Sequence, residues 1–427
     1  MPQGFYLIIA SQFISALADN ALLLVAMARM HEMGLAVWLA PLLKLSFTVS
    51  YVVLAPWVGA LADAVPKQRL MAWMNALKVV GAVLMLCGAN PLLAYGVVGL
   101  AAAAYAPAKY GIVTERVPSS LLVVANGWIE VSIVCAVLLG AVAGGALISP
   151  QLAASGVAQW VHDVAAMWLH APTAWAHGLV LIALFYAVAA LLNLGIPTAA
   201  GGAAVVWENP LRMMRSFRQS NLVLWRDRDG GLSLAVTTLF WGAGATLQFI
   251  VLSWAQQALH YGLDQAAYLQ GVVAIGVVIG AALAGRWVRI EHAKRVLLIG
   301  LVMGLLTPCM TVVHSLGWAV PLLILIGASA GFFVVPMNAL LQDRGYRVLS
   351  AGRSIAVQGF NENLSVLAMV SIYSGLLALD VPVNWLIWGF GLLVAAIMGL
   401  VIVRDRLGPE SSWPWGLRAG EGGQAVR

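Results

Sequence analysis

The chain has 427 residues, 62% of them hydrophobic and only 9% charged, with a formal net charge of +6 and a mean hydropathy of +0.91. Soluble domains carry about a quarter charged residues, so this composition excludes a water-soluble globule and predicts an all-α membrane protein. The basic excess does not mark a nucleic-acid binder, because the cations sit in short loops between apolar runs and form no basic stripe with interleaved aromatics.

A bilayer crossing takes about 20 apolar residues. Twelve segments reach that length: 4–28, 36–61, 70–89, 91–112, 121–148, 173–196, 231–256, 266–288, 296–316, 318–341, 351–376 and 381–403. The first is too long for a cleavable signal, lacks a basic leader and carries Asp19-Asn20 near its middle, so it reads as a span. Neighbours separated only by a turn, as at Asn90-Pro91, predict helical hairpins. The outward loop 149–172 is long, and its Trp160 and Trp168 suit an interface. The longest inward connection, 197–230, places Arg212, Arg215 and Arg218 every third residue, which predicts an amphipathic helix on anionic headgroups. The division is therefore 1–196 as a first six-helix half, 197–230 as an inward connection, 231–403 as a second half and 404–427 as a tail. Beyond Arg406 the tail, with Trp413 and Trp415, reads as soluble.

Orientation follows from the loop cations. Of the 23 Lys and Arg residues, Lys44, Lys78, Lys109 and Arg353 fall in spans and only Arg29 in an outward loop. All others fall in inward loops or the tail, which puts both termini in the cytoplasm. Six of the seven histidines, among them His162, His170 and His177, fall toward the outward side without ligand spacing on any one helix. No metal site is expected. Cys87, Cys135 and Cys309 lie singly in apolar runs and read as packing residues.

Traces of a repeat support two halves. Ala60-Leu61-Ala62-Asp63 closes the second span as Ala282-Leu283-Ala284-Gly285 closes the eighth, and Pro107 with Lys109 is echoed by Pro336 with Asn338. Paired halves with a site between them near mid-membrane are a common secondary-transporter plan.

Polar residues within the spans are the candidate site, since charge in hydrocarbon is costly and usually faces a cavity or a partner. Tyr105, Pro107, Lys109 and Tyr110 sit together near the end of the fourth span; the bland alternative is a lysine snorkelling to the interface. Asp19 needs a cation, a cavity or a proton, with Lys44, Lys78 and Lys109 as available cations, and substrate contact or internal lock stays open. Asn20 adjoins it, and Glu130 follows Asn126-Gly127. Gln358 and Glu362 share a helix face at i, i+4, beside Asn361 and Asn363. Gln248, Asn338 and Gln342 add neutral donors from other spans. Interhelical hydrogen bonds account equally well for isolated amides, and for Asn75 that reading is preferred. The pairs Gly140/Gly144, Gly276/Gly280, Gly300/Gly304 and Gly327/Gly331 read as close helix packing.

No Walker sequence, H-x4-D pattern or nucleophile elbow is present, so an enzyme is not expected and no cofactor is implied. Gly59-Ala-Leu61-Ala62-Asp63 followed by Lys67 and Arg69 resembles the inner loop signature of the major facilitator superfamily. Ala64 and Pro66 depart from its usual basic residue and glycine. That resemblance implies a conformational switch at Asp63, Lys67 and Arg69, the aspartate joining the two halves and helping to hold an outward-facing state.

Longer strings are more specific: Ser11-Gln-Phe-Ile-Ser-Ala-Leu-Ala-Asp19-Asn20, Ala104-Tyr-Ala-Pro-Ala-Lys109-Tyr110, Leu239-Phe-Trp-Gly-Ala-Gly, Gly331-Phe-Phe-Val-Val-Pro336-Met-Asn338 and Ile355-Ala-Val-Gln358. Together they resemble the bacterial lysophospholipid transporters within that superfamily. The resemblance implies a major facilitator fold and a flippase of the bacterial inner membrane. Such a flippase moves lysophosphatidylethanolamine and related lysolipids from outer to inner leaflet by alternating access. The implied partner is a separate acyl-ACP synthetase/acyltransferase that restores the second chain. Asp19, Asn20, Lys109 and Tyr110 would line the headgroup path, Lys109 as a phosphate contact, with Asn338 and Glu362 from the second half. A neutral Gln248 stands where relatives carry a basic residue, a departure that weakens any phosphate clamp across the halves. The alternative from the residues themselves is an exporter of small amphiphilic drugs, proton-coupled through Asp19 or Glu130.

Overall fold

The structure, a computed structural model, describes residues 1–2, 4–35, 40–168, 175–197, 209–261 and 263–407. Its helices are α1 Phe5–Glu32, α2 Ala40–Ala64, α3 Lys67–Leu86, α4 Pro91–Arg116, α5 Leu122–Leu147, α6 Pro150–Ala153, α7 Gly156–Trp168, α8 Ala176–Leu194, α9 Pro210–Arg226, α10 Arg228–Ala258, α11 Leu263–Trp287, α12 Leu297–Leu306, α13 Leu316–Val348, α14 Ala351–Ala378 and α15 Val383–Leu407. Among the described residues no strand occurs.

Local sequence sets the helix starts. Asn90 and Asn209 each accept a hydrogen bond from the backbone two residues on, at 2.9 and 3.1 Å, while the following proline fills a position where an N–H would be unsatisfied anyway. Asp227 caps α10 through the Gly230 N–H at 2.8 Å. Pro107 in α4 and Pro336 in α13 each remove one helical bond, yet both helices continue because tertiary packing outweighs the loss. The crossing between α11 and α13 is composite. Turns of 3-10 helix at Ile290–Val296 and Thr307–Val312 flank α12, and the Met310 carbonyl of the second accepts the Trp254 indole N–H at 2.8 Å.

Eleven helical segments among the described residues are long and apolar enough to cross a membrane. The remaining long helix, α14, is the expected span at 351–376. Arg353, Gln358, Asn361, Glu362 and Asn363 dilute its hydropathy, and α2, α4, α9 and α10 pack along it. Large apolar side chains such as Leu93, Val142, Leu191, Trp385 and Leu400 are exposed around the bundle, as a lipid-facing surface requires.

Small residues set the tightest helix contacts. A Cβ at Gly144 of α5 would lie 3.0 Å from the Ala21 Cα of α1, and one at Gly331 of α13 would lie 2.9 Å from the Ala281 N of α11. In α1–α8 the principal pairs are α1 with α5 and α8, α2 with α4, and α3 with α4 and α8. In α10–α15 they are α11 with α13, α10 with α13 and α14, and α12 with α15. The two sets meet through α2 with α14, α4 with α14, and α5 with α11 and α13.

Three expectations are adjusted. The outward loop carries a helix, α7, whose Val157, Trp160 and Met167 are exposed and which packs on α8. The amphipathic helix of the connection is α9; it buries Met213, Ser220 and Leu224 with half-buried Phe217, leaving Arg212, Arg215 and Arg218 exposed. Rather than resting on headgroups alone, it inserts Phe217 beside Phe360, 5.3 Å between ring centroids, and bonds Trp225 Nε1 to Asn361 Oδ1 at 3.1 Å. Cys87, in the turn that ends α3, and Cys309, in the 3-10 turn after α12, are exposed and not core packing. His170 and the tail after Leu407, with Trp413 and Trp415, lie outside the described residues.

Candidate functional site

Asp19 is held inside the first helix set. Lys78 of α3, 2% exposed at its side chain, places Nζ 2.7 Å from Asp19 Oδ2 and 2.8 Å from Oδ1. The Tyr186 hydroxyl of α8 donates to Asp19 Oδ1 at 2.8 Å. Lys78 also donates to Ser15 Oγ at 3.0 Å, and Ser15 in turn donates to Asn75 Oδ1 at 2.8 Å. The Lys78 ammonium sits 5.5 Å from the ring centroids of both Tyr105 and Tyr186, so its remaining field is met by aromatic faces. Asp19 is thereby a partnered carboxylate. Sequence spacing offered Lys78 among three cations; Tyr186 and Ser15 carried no signal that tied them to Asp19.

Lys109 is different. It is 8% exposed, its Nζ lies 4.1 Å from the Tyr110 ring centroid, and it stands in electrostatic reach of Glu130 of α5. Tyr110 in turn feels both Glu130 and Glu362. Among the described residues none of Lys109, Glu130 and Glu362 forms an ion pair within 4 Å. Ionisable groups within a membrane-spanning bundle are costly; here Lys109 and Glu130 act on each other electrostatically, and Glu362 is hydrogen-bonded by Gln358 and Thr237.

On α14, the helical spacing puts Gln358 and Glu362 on one face, and the Gln358 Nε2 donates to Glu362 Oε1 at 2.8 Å. The same nitrogen donates to Asn338 Oδ1 of α13 at 3.0 Å. Asn338, Gln358 and Glu362 therefore form one bonded set. Asn20 and Asn363 instead return their amides to their own helices, to the Ala16 and Gly359 carbonyls at 2.8 Å each. Gln248 is exposed, its backbone carbonyl accepting from Gln270 Nε2 at 3.1 Å. Asn361 turns to the connection, donating to Asn221 Oδ1 at 3.0 Å.

Asp63 and Lys67, two of the three residues expected at the inner loop, lie where the two sets meet. Asp63 accepts from the Ser350 hydroxyl and, at 2.9 Å, from the Gly352 N–H, so its charge sits at the positive start of α14. A Cβ at Gly352 would lie 2.6 Å from Asp63 Oδ1, so only glycine admits the carboxylate this closely. Lys67 Nζ pairs with Glu115 Oε1 at 2.7 Å and reaches Asp63 Oδ1 at 3.9 Å, its stem running over Gly111. Arg69 is exposed and stands apart from this cluster. The cross-set contacts Ser119 with Asp343, and Asn126 with Gln342 through reciprocal amide bonds of 2.9 and 3.0 Å, lie at the same end. The pairing of Asn126 with Gln342 was not foreseen, although both residues were named. The counterpart of Asp63 in the second set is Gly285, which packs against Gly127 of α5 with no charge. Among the described residues no cluster of His, Cys, Asp and Glu suits a metal ion.

The family model described as Major Facilitator Superfamily matches residues 8–368. The chain is 42% identical over 385 residues to a protein of Yersinia enterocolitica named "Lysophospholipid transporter LplT", covering 90% of this chain and 89% of that one. A Shigella flexneri protein of the same name is 41% identical over 407 residues, covering 95% and 96%. Among solved structures, the E. coli fucose:proton symporter FucP superposes with a TM-score of 0.70 at 14% identity, over 95% of this chain and 98% of that one. The human organic anion transporter MFSD10 gives 0.68 at 14% identity, over 95% and 100%.

Proposed function

Because this chain belongs to the major facilitator superfamily, we propose that it moves lysophospholipids across the bilayer through a polar route between its two helix sets. The observation that carries this reading is the group of ionisable side chains on α4, α5 and α14, with Lys109 and Glu130 buried and Glu362 half-buried, none of which forms an ion pair within 4 Å among the described residues. A lysolipid brings a phosphate and a polar head that need such a route, while its single acyl chain stays in hydrocarbon. The names of the relatives in Yersinia enterocolitica and Shigella flexneri support the same substrate class.

In this reading Lys109 meets the phosphate as a point charge. Closure at the Asp63 end, through Asp63 with Ser350 and Gly352, leaves the opposite end to admit the headgroup. Rocking of the two sets then reverses the access. The loop cations orient the Asp63 end toward the cytoplasm, so uptake runs from outer to inner leaflet of the bacterial inner membrane. A separate acyl-ACP synthetase/acyltransferase on the cytoplasmic side would consume the delivered lysolipid.

The test is uptake of labelled lysophosphatidylethanolamine by proteoliposomes holding the purified protein, with and without a pH gradient. Lys109→Ala is expected to abolish inward movement at unchanged protein abundance. Undiminished movement removes the phosphate role.

A further inference from the structure

The connecting helix α9 has two unlike faces. Its inner face is matched to protein. Trp225 Nε1 donates to Asn361 Oδ1 at 3.1 Å, and Asn361 Nδ2 donates to Asn221 Oδ1 at 3.0 Å. Phe217 lies beside Phe360 and packs against a cluster of Val58 from α2, Ala104 from α4 and Ala356 from α14. Its outer face carries Arg212, Arg215, Arg218 and Arg226, all exposed, and the helix holds no acidic residue. Among the described residues none of these four cations pairs with a carboxylate. Leu211, Met214 and Leu222 are exposed among them.

Depth in the bilayer decides what that outer face meets. The 28 residues of α14 span about 42 Å, close to a bilayer with its headgroups. Asn361 stands about 15 Å from the helix start at Ala351. The contact with α9 therefore falls at the level of the inner headgroups and upper acyl chains, beside the bundle and not beneath it in water. Cations mixed with exposed apolar side chains suit that boundary, where stems lie in hydrocarbon and charges reach the phosphates. The inner face does not suit lipid. Hydrocarbon would leave Asn221 and Trp225 without the bonds that Asn361 gives them. The inner face thus stays on the protein, and the arginines are left to the headgroups.

We propose that the outer face of α9 binds acidic phospholipids of the resident membrane, and that the bound lipid holds α9 across the seam between α2 and α14. That seam is one of the places where the two helix sets meet; a Cβ at Gly59 of α2 would lie 2.9 Å from the Ala356 Cβ of α14. Phe217 covers both sides of it, so parting these helices takes Phe217 off one of them. Guanidinium groups match phosphate oxygens in geometry as well as charge. A zwitterionic headgroup neutralises its own phosphate, whereas an acidic one adds net field, so the face distinguishes membranes by their charge. The inference concerns the surrounding lipid and not the cargo, and it does not depend on the lysolipid reading.

The experiment places the full chain, with Cys87, Cys135 and Cys309 replaced by Ala, in nanodiscs of phosphatidylcholine with and without phosphatidylglycerol. One protein carries an environment-sensitive dye at Met214→Cys. A second carries Ala351→Cys, buried across the seam from Gly111, as a thiol probe. Phosphatidylglycerol is expected to shift the dye toward a drier signal and to slow thiol labelling by about fivefold or more, the scale of one arginine at an acidic surface. Replacing all four arginines by Gln is expected to erase both responses, with unfolding in phosphatidylcholine unchanged as the report of folding. If that variant does not accumulate, Arg212→Gln with Arg215→Gln is expected to weaken both responses. Phe217→Ala is expected to keep the dye response and lose the labelling response. A dye that ignores phosphatidylglycerol, or a four-Gln variant that responds as the parent does, overturns the binding face. Faster labelling with phosphatidylglycerol means that lipid draws α9 off the seam, and overturns the hold. A response to soluble polyglutamate that phosphatidylglycerol fails to match assigns the face to an acidic protein and overturns the lipid.

Discussion

Lys78 and Asp19 form a buried ion pair 2.7 Å apart, and the Tyr186 hydroxyl closes the other carboxylate oxygen at 2.8 Å. The pair joins α1, α3 and α8 within one helix set and makes no contact across the two sets. It ties those helices to one another. Breaking such a pair strands a charge, at a cost of about 3–5 kcal/mol, whereas replacing both partners can be nearly neutral. Lys78→Met is therefore expected to lower the thermal unfolding temperature in detergent strongly, and Lys78→Met with Asp19→Asn to recover most of the loss. If the double variant is no more stable than Lys78→Met, Asp19 serves something beyond this lock.

The closed end predicts a second outcome. Ser119 and Asp343 touch across the sets, close to the Asp63 seat at the start of α14. With Cys87, Cys135 and Cys309 replaced by Ala, a Ser119→Cys and Asp343→Cys pair should cross-link on mild oxidation. Lysolipid uptake should then stop and return on reduction. Uptake that continues in the cross-linked protein would show that this end need not open.

Asp227 gives a prediction in pH. It precedes α10, outside the spans. Burial alone would raise its carboxyl, but the Arg344 guanidinium, bonded at 2.9 and 3.1 Å through Nε, and the Gly230 and Asp229 backbone N–H groups outweigh that and hold it below the usual aspartate range. A carboxyl depressed on folding stabilises the protein above its unfolded value, about pH 4, and the contribution is lost as pH falls through the folded value. Asp227→Asn should therefore unfold at a lower temperature than wild type near about pH 7, with the gap narrowing as pH drops below about 4. A gap that stays constant with pH would assign the loss to helix capping alone.

Much of this was legible in the sequence, for physical reasons that can be named. Hydrocarbon demands long apolar runs, so the crossings were visible; 351–376 was read as one of these runs, although Gln358, Asn361, Glu362 and Asn363 leave α14 less apolar than the other long helices. Helical spacing put Gln358 and Glu362 on one face, and the structure bonds them. Partners from different helices were not legible. Nothing in spacing ties Tyr186 or Ser15 to Asp19, or chooses Lys78 over Lys109 as its cation, because those encounters depend on how α3 and α8 pack on α1. For the same reason spacing did not show that Asn361, three residues past Gln358, turns to Asn221 and Trp225 of the connecting helix. A one-residue step rotates a helical side chain by about 100°, enough to exchange a passage for a packed neighbour.

The reciprocal amides of Asn126 and Gln342 carry the last prediction. Both are buried, 3% and 1% exposed, and each satisfies the other across the closed end. Asn126→Leu leaves the Gln342 amide buried without its partner, at a cost of about 1–3 kcal/mol, while Asn126→Leu with Gln342→Leu removes both polar groups and should recover that cost. Transport should respond differently from stability. When the end opens, amides gain water and separate cheaply, whereas two leucines would expose apolar surface at about 25 cal/mol per Å². The double leucine variant is thus expected to be stable but slow to open. An Ala351→Cys probe, buried against Gly111 across the sets, should react with a thiol reagent more slowly in the double variant than in the parent. Faster labelling would mean that the amide pair, rather than easing the separation, is what holds the end shut.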